Sequence, residues 1–199
     1  MINKMRNLLI IVDVQNDFCA RGGTLVNKQT IDVVPDVCDL VHYNNLFDKV
    51  ICTMDTHYAN YLSTIEGKHL PVMHCQRGDW GWKIEEKLYQ ALYYNKNIGF
   101  VEKSSFAPPF IKLLEEMKLD GNLSACPYDN IFVCGVCTDI CVINTALMLK
   151  NEIDKEIYVI ENCCAGSDPE NHYAALRTMK ASHINVVTTN DVINNFFKE

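Results

Sequence analysis

Asn130-Ile131-Phe132-Val133-Cys134-Gly135-Val136-Cys137-Thr138-Asp139-Ile140-Cys141-Val142 decides the fold. Its first part is almost continuously apolar, the pattern of a strand buried on both faces. Gly135 breaks that run, and a helical pattern follows over Asp139–Leu149. A buried strand entering a helix through a tight turn is the unit of a parallel sheet. The rest of the chain repeats it. Leu8–Val12, Lys49–Thr53, Glu156–Glu161 and Ile184–Thr188 are further short runs rich in Val and Ile, and read as strands. Between them, Asp36–Leu46, Pro109–Met117 and Pro169–Met179 carry apolar residues on one helical stripe. Ser167-Asp168-Pro169-Glu170 is a start signal for the last, with Ser167 at the cap and Pro169 in the first turn. The alternation predicts an α/β fold: a three-layer α/β/α arrangement around a mostly parallel central sheet, with Rossmann-like topology. No repeat, low-complexity tract or Gly/Ser linker interrupts the 199 residues, so residues 1–199 read as one domain.

Composition narrows the function classes. The 18 Lys+Arg against 25 Asp+Glu give a formal charge of −7, the wrong sign for gripping nucleic acid or an anionic membrane. Leu8–Val12 is cut off by Asp13 and is too short for a membrane span or a signal-peptide core. The expectation is a soluble cytoplasmic protein with no nucleic-acid or membrane partner. Ten cysteines raise a disulfide scaffold as an alternative, but such scaffolds are usually shorter chains. Cys52, Cys134 and Cys163 sit inside apolar runs, where a thiol packs as a small hydrophobe, so reduced, mostly structural cysteines are expected. There is no G-x-G-x-x-G after the first strand and no G-x-x-x-x-G-K-[ST] anywhere; Gly22-Gly23 reads as a turn.

In an open α/β sheet, ligands gather at the carboxyl ends of the strands. Asp13, Asp55 and Cys137 all fall just past such ends. Alone, Asp13 reads as readily as a helix cap. Cys141, in a first helical turn, would meet unpaired N–H groups and the positive end of the helix dipole, a setting that activates a thiol and can hold an oxyanion. The alternative is a sulfur packed on the sheet. Cys134-x-x-Cys137 lacks a second pair at zinc-ribbon spacing. The long polar and aromatic stretch Asp55–Gly81 holds Asp55, His57, Glu66 and His74, two carboxylates and two imidazoles that suit Zn²⁺, Mn²⁺ or Fe²⁺, with His69 as a rival ligand. Lys103 reads as a solvated lysine unless a carboxylate or thiolate lies beside it.

Together these segments resemble the isochorismatase-like cysteine hydrolases, and within them the nicotinamidase-type amidases. Ile11-Val12-Asp13-Val14-Gln15-Asn16-Asp17-Phe18 is similar to the family's first-strand signature, and Gly135–Val142 to its nucleophile motif. Asp55-Thr56-His57 and His74-Cys75 match its metal region, with Lys103 between that region and the nucleophile. The resemblance implies a catalytic set of Asp13, Lys103 and Cys141. It also implies a cis peptide between Val136 and Cys137, and an oxyanion hole from the N–H groups of Cys137 and Cys141. Phe18 and Val136 would line the substrate pocket, and Asp55, His57, Glu66 and His74 would hold one divalent ion, zinc first and Mn or Fe as alternatives. The implied activity is hydrolysis of a small carboxamide, nicotinamide to nicotinate and ammonia, through a cysteine thioester, as in NAD salvage. The metal would anchor the substrate. A homo-oligomer is implied on the same basis. The family's aromatic residue three positions before the last metal histidine is absent, since Leu70-Pro71 stands there, and Trp80 or Trp82 are the candidate substitutes. A second reading is a metal-independent amidase acting on a carbamoyl or ureido compound. A third is a catalytically silent binding protein, for which an intact Asp13, Lys103 and Cys141 set has no physical need.

Overall fold

The computed structural model describes residues 5–43, 46–93, 95, 97–119 and 126–196. Its sheet has six parallel strands: β1 (Asn7–Val12), β2 (Lys49–Asp55), β3 (Ile98–Lys103), β4 (Asn130–Val136), β5 (Glu156–Ala165) and β6 (Asn185–Val187). Their spatial order is β3-β2-β1-β4-β5-β6. Every residue of β1, β2 and β4 is buried, as their apolar runs require of central strands.

The connections carry α1 (Asn16–Cys19), α2 (Lys28–Asp32), α3 (Val34–His42), α4 (Ile65–His69), α5 (Glu86–Leu92), α6 (Phe110–Met117), α7 (Ile143–Glu152) and α8 (Pro169–Ala181). Helix α9 (Thr189–Phe196) closes the described chain. The chain winds outward one way through β1, β2 and β3 and the other way through β4, β5 and β6. Right-handed crossovers therefore place α3 and α5 on one face and α7 and α8 on the other. Winding reverses between β1 and β4, and a crevice opens at their carboxyl ends.

Several expectations need correction. Strand β3 was absent from the reading because its burial alternates and Phe100 is exposed: it is the edge strand, and its pattern is not continuous. The helix expected over Asp36–Leu46 is α3, shifted to Val34–His42; residues 44–45 of that expectation lie outside the described residues. The cap of α8 is Asp168, not Ser167, because the Asp168 carboxylate accepts the N–H of Asn171. Residues Thr138–Val142 form a π-helical turn before α7. The ten cysteines are all free, as expected. No helix among the described residues is long and apolar enough to cross a membrane.

Candidate active site

The carboxyl ends of β1, β2 and β3 and the turn after β4 deliver polar groups to the crevice. β1 ends at Val12, and Asp13 adopts φ +50°, a left-handed conformation uncommon outside glycine and asparagine-like residues. The turn leaves its side chain wholly buried over the sheet end. Thr53 of β2 donates its hydroxyl to Asp13 Oδ1 at 2.6 Å. Lys103, the last residue of β3, is buried with its ammonium 2.7 Å from Asp13 Oδ2 and 3.4 Å from Cys141 Sγ. It also donates to the Ser105 carbonyl at 3.0 Å.

Cys141 sits in the π-helical turn after β4, where the Cys137 carbonyl accepts the N–H groups of Ile140 and Val142, on either side of it. The bond between Val136 and Cys137 is cis. Gly135 makes the turn possible. Its φ is +114°, and a Cβ there would lie 2.2 Å from the Val12 carbonyl oxygen.

The electrostatics of this group follow from burial. Asp13 is raised above the ordinary carboxyl range by desolvation, partly offset by the Lys103 charge. Desolvation would lower Lys103, but the facing charges of Asp13, Cys141 and Asp55 outweigh it and hold the amine protonated. Burial and the nearby Asp13 carboxylate push the Cys141 thiol well up, against the pull of Lys103. Burial thus opposes charge on both Asp13 and Cys141, and the Lys103 ammonium is the positive charge that faces them.

Asp55, the last residue of β2, faces a second cluster. Its Oδ2 is 3.0 Å from His57 Nε2 and 3.3 Å from His74 Nε2. Glu66 Oε1, on α4, is 3.7 Å from His57 Nε2. One ligand atom from each of Asp55, His57 and His74 lies within 4.8 Å of the others, and all three residues are buried. His74 Nδ1 is 2.8 Å from the Val72 carbonyl, which only accepts, so Nδ1 carries the proton and Nε2 offers its lone pair inward. His57 Nε2 is buried and has no hydrogen-bond partner. An orphaned imidazole nitrogen among a carboxylate and a second imidazole fits a divalent cation of the Zn, Mn or Fe class. Asp55 is held well below the usual carboxylate range: burial opposes this, but the two imidazoles beside it and the Lys103 charge prevail. Tyr61 packs against both imidazoles, with ring centroids at 4.4 and 5.0 Å. His69 is exposed on α4, away from this cluster.

Between the two clusters lies a cavity of 310 Å³. Cys141, Asp55, Glu66 and His74 reach it. Phe18 and Val136 also line it, with Leu70 and with Leu25, Phe106 and Ile140, for which the sequence carried no pocket expectation. Trp80 and Trp82 do not substitute for the absent aromatic. They border a separate cleft with Phe100 and Tyr89, and Trp82 Nε1 donates to Thr56 Oγ1 at 2.9 Å. Leu70 occupies the wall near that position. Phe106 is the second aromatic ring, and its only sequence signal was its place three residues after Lys103.

A carboxylate, a lysine and a cysteine thus gather beside a metal-type cluster at the carboxyl ends of the strands. The Isochorismatase domain model matches residues 7–191, and the chain belongs to the isochorismatase family. The nicotinamidase of Schizosaccharomyces pombe is 27% identical over 214 aligned positions, covering 93% of this chain and 94% of that protein. The crystal structure of nicotinamidase from Bacillus subtilis superposes with a TM-score of 0.74 at 25% identity, covering 92% of this chain and 99% of that one. The pyrazinamidase of Pyrococcus horikoshii in complex with zinc shares the fold with a TM-score of 0.70 at 23% identity, covering 92% and 99%. These likenesses support an amidase of the isochorismatase family.

Proposed function

We propose that the chain is a cysteine amidohydrolase that converts a small aromatic carboxamide, nicotinamide first among them, to its acid and ammonia. The observation that carries this reading is the convergence of Asp13, Lys103 and Cys141, with ammonium distances of 2.7 and 3.4 Å, where Cys141 opens on a cavity that Asp55, Glu66 and His74 also border.

Asp13 takes the Sγ proton as Sγ attacks the amide carbon, and Lys103 stabilises the sulfur's developing charge. The carbonyl electrons move to oxygen, beside the N–H groups of Cys137 and Cys141. Asp13 then passes its proton to the amide nitrogen, the C–N bond breaks, and ammonia leaves a thioester on Cys141. Water attacks the thioester as Asp13 takes one of its protons. The C–S bond breaks, the acid departs, and the proton returns to sulfur. Phe18 and Phe106 provide aromatic surface for a flat ring, and the Leu25, Leu70 and Ile140 walls exclude water. A divalent ion bound by Asp55, His57, His74 and Glu66 would supply a Lewis-acid contact for a ring nitrogen. Zinc leads the candidates because the donor set suits it and a related pyrazinamidase is known in complex with it.

A second reading, an amidase for carbamoyl or ureido compounds, draws on Pro71 standing where the resemblance implies an aromatic, with the aliphatic Leu70 beside it on the cavity wall. Ammonia release from nicotinamide, pyrazinamide, benzamide and a ureido acid separates the two. The proposal expects turnover led by the two nitrogen heterocycles. Turnover confined to the ureido acid would replace it with the second reading, and no turnover of any amide would favour a silent binding protein.

A further inference from the structure

Gln15 belongs to neither the Asp13, Lys103 and Cys141 set nor the metal-type cluster, yet it touches the residue they share. It is wholly buried, two residues after Asp13, at the start of α1. Its side-chain amide makes three hydrogen bonds. Oε1 accepts the Asp55 N–H at 2.7 Å, while Nε2 donates to the Asp55 carbonyl at 2.9 Å and to the Trp82 carbonyl at 2.7 Å. Two of the three fall on the backbone of one residue. That residue is Asp55, whose carboxylate faces His57, His74 and Lys103.

The geometry explains why a glutamine stands there. Pairing between β1 and β2 runs to Ile11 and Cys52, and the chain then turns out of the strand at Asp13. Asp55 lies three residues beyond Cys52, where β1 no longer follows. A primary amide offers one C=O and one N–H side by side, as a peptide group does, and the Gln15 amide takes both backbone groups of Asp55 in place of a strand neighbour. On its other side Asp55 pairs with Lys103 of β3. The Asp55 backbone is thus gripped from both sides, which fixes the point from which its carboxylate projects.

We propose that Gln15 is a positioning residue that aims the Asp55 carboxylate at the metal site. The inference rests on the metal-anchored reading above. Groups that orient a metal's ligands typically change affinity 10–100-fold when removed.

The test is the affinity of the purified protein for Zn²⁺ and Mn²⁺, read by competition with a chromogenic chelator. Gln15→Met keeps length without hydrogen bonds, and Gln15→Glu keeps the acceptor but loses both donors. Asn16→Ala is the control, since Asn16 donates to the Trp80 carbonyl of the same loop at 2.8 Å without touching Asp55. Each variant is first checked for a cooperative thermal transition. The inference expects about 10–100-fold weaker metal binding in both Gln15 variants and unchanged binding in Asn16→Ala. It also expects a raised KM for nicotinamide that falls back as free metal is increased, which a purely structural defect would not show. Unaltered affinity in either folded Gln15 variant would overturn it. So would an equal loss in Asn16→Ala, which assigns the effect to the loop, or failure of both Gln15 variants to fold, which assigns Gln15 to stability. Absence of metal binding in the unaltered protein would instead strike the metal-anchored reading, and the positioning role would fall with it.

Discussion

Asp13 and Lys103 form a fully buried ion pair at 2.7 Å, and their opposite chemical tasks make single substitutions informative. Asp13→Asn keeps the shape but cannot take the thiol proton, so kcat should fall by about 10²–10⁴, as expected when a general base is lost. Steady-state ammonia release measures it, and near-normal turnover would exclude Asp13 as the base. Lys103→Met leaves the Asp13 carboxylate buried without its counter-charge, an arrangement that typically costs about 3–5 kcal/mol. Desolvation already raises Asp13, and losing Lys103 raises it further. A carboxyl raised in the folded state gives stability that is full below its unfolded pKa and is lost as pH rises through the folded value. Urea denaturation of Lys103→Met should therefore show a deficit that grows from acidic to neutral pH. A pH-independent deficit would mean that losing Lys103 does not raise Asp13 further. At this scale Asp13, Asp55 and Cys141 were legible because each follows the end of a recognisable strand or its turn. Gln15, Tyr61 and Phe106 were not, because an amide or a ring shows its role only through the distant segment it meets.

The turn between β4 and α7 carries Cys141, the proposed nucleophile, and Gly135 is its least replaceable position. An alanine there must hold φ near +114°, a strain of about 1–3 kcal/mol, and its Cβ would lie 2.2 Å from the Val12 oxygen. Gly135→Ala should therefore lower the thermal midpoint sharply and reduce turnover together, since β1 and β4 cannot separate without moving Asp13 and Cys141 apart. A stable, fully active Gly135→Ala would contradict this packing. The elements differ in how openly the sequence displays them. β1, β2 and β4 are buried on both faces, so burial alone dictates their apolar runs. β3 lies at the sheet edge, and Gly99 and exposed Phe100 break its pattern, which is why its residues alone left Lys103 a solvated lysine and only the family resemblance gave it a role. The α4 turn that brings Glu66 to the cluster spans only Ile65–His69, too short for a periodic signal.

Across the molecule, the reversal of winding between β1 and β4 gathers the polar ends of four strands over one crevice. That placement follows from alternating strands and helices and was open to sequence reading. The aliphatic wall was not, because Leu25, Leu70 and Ile140 come from separate connections. The purified protein should carry about one equivalent of a divalent ion. Its removal by chelation should reduce kcat/KM for nicotinamide by about 10²-fold, the equivalent of a lost interaction of a few kcal/mol, while benzamide, which lacks the ring nitrogen, changes little. Equal effects on both amides would remove the anchoring role. The central claim is that Cys141 carries the acyl group during turnover. Rapid acid quench of the enzyme turning over nicotinamide, followed by mass spectrometry of its peptides, should find a nicotinoyl thioester on the peptide containing Cys141, and none in Cys141→Ser. Ammonia release that persists in Cys141→Ser, with no acyl adduct in the unaltered enzyme, would contradict the account.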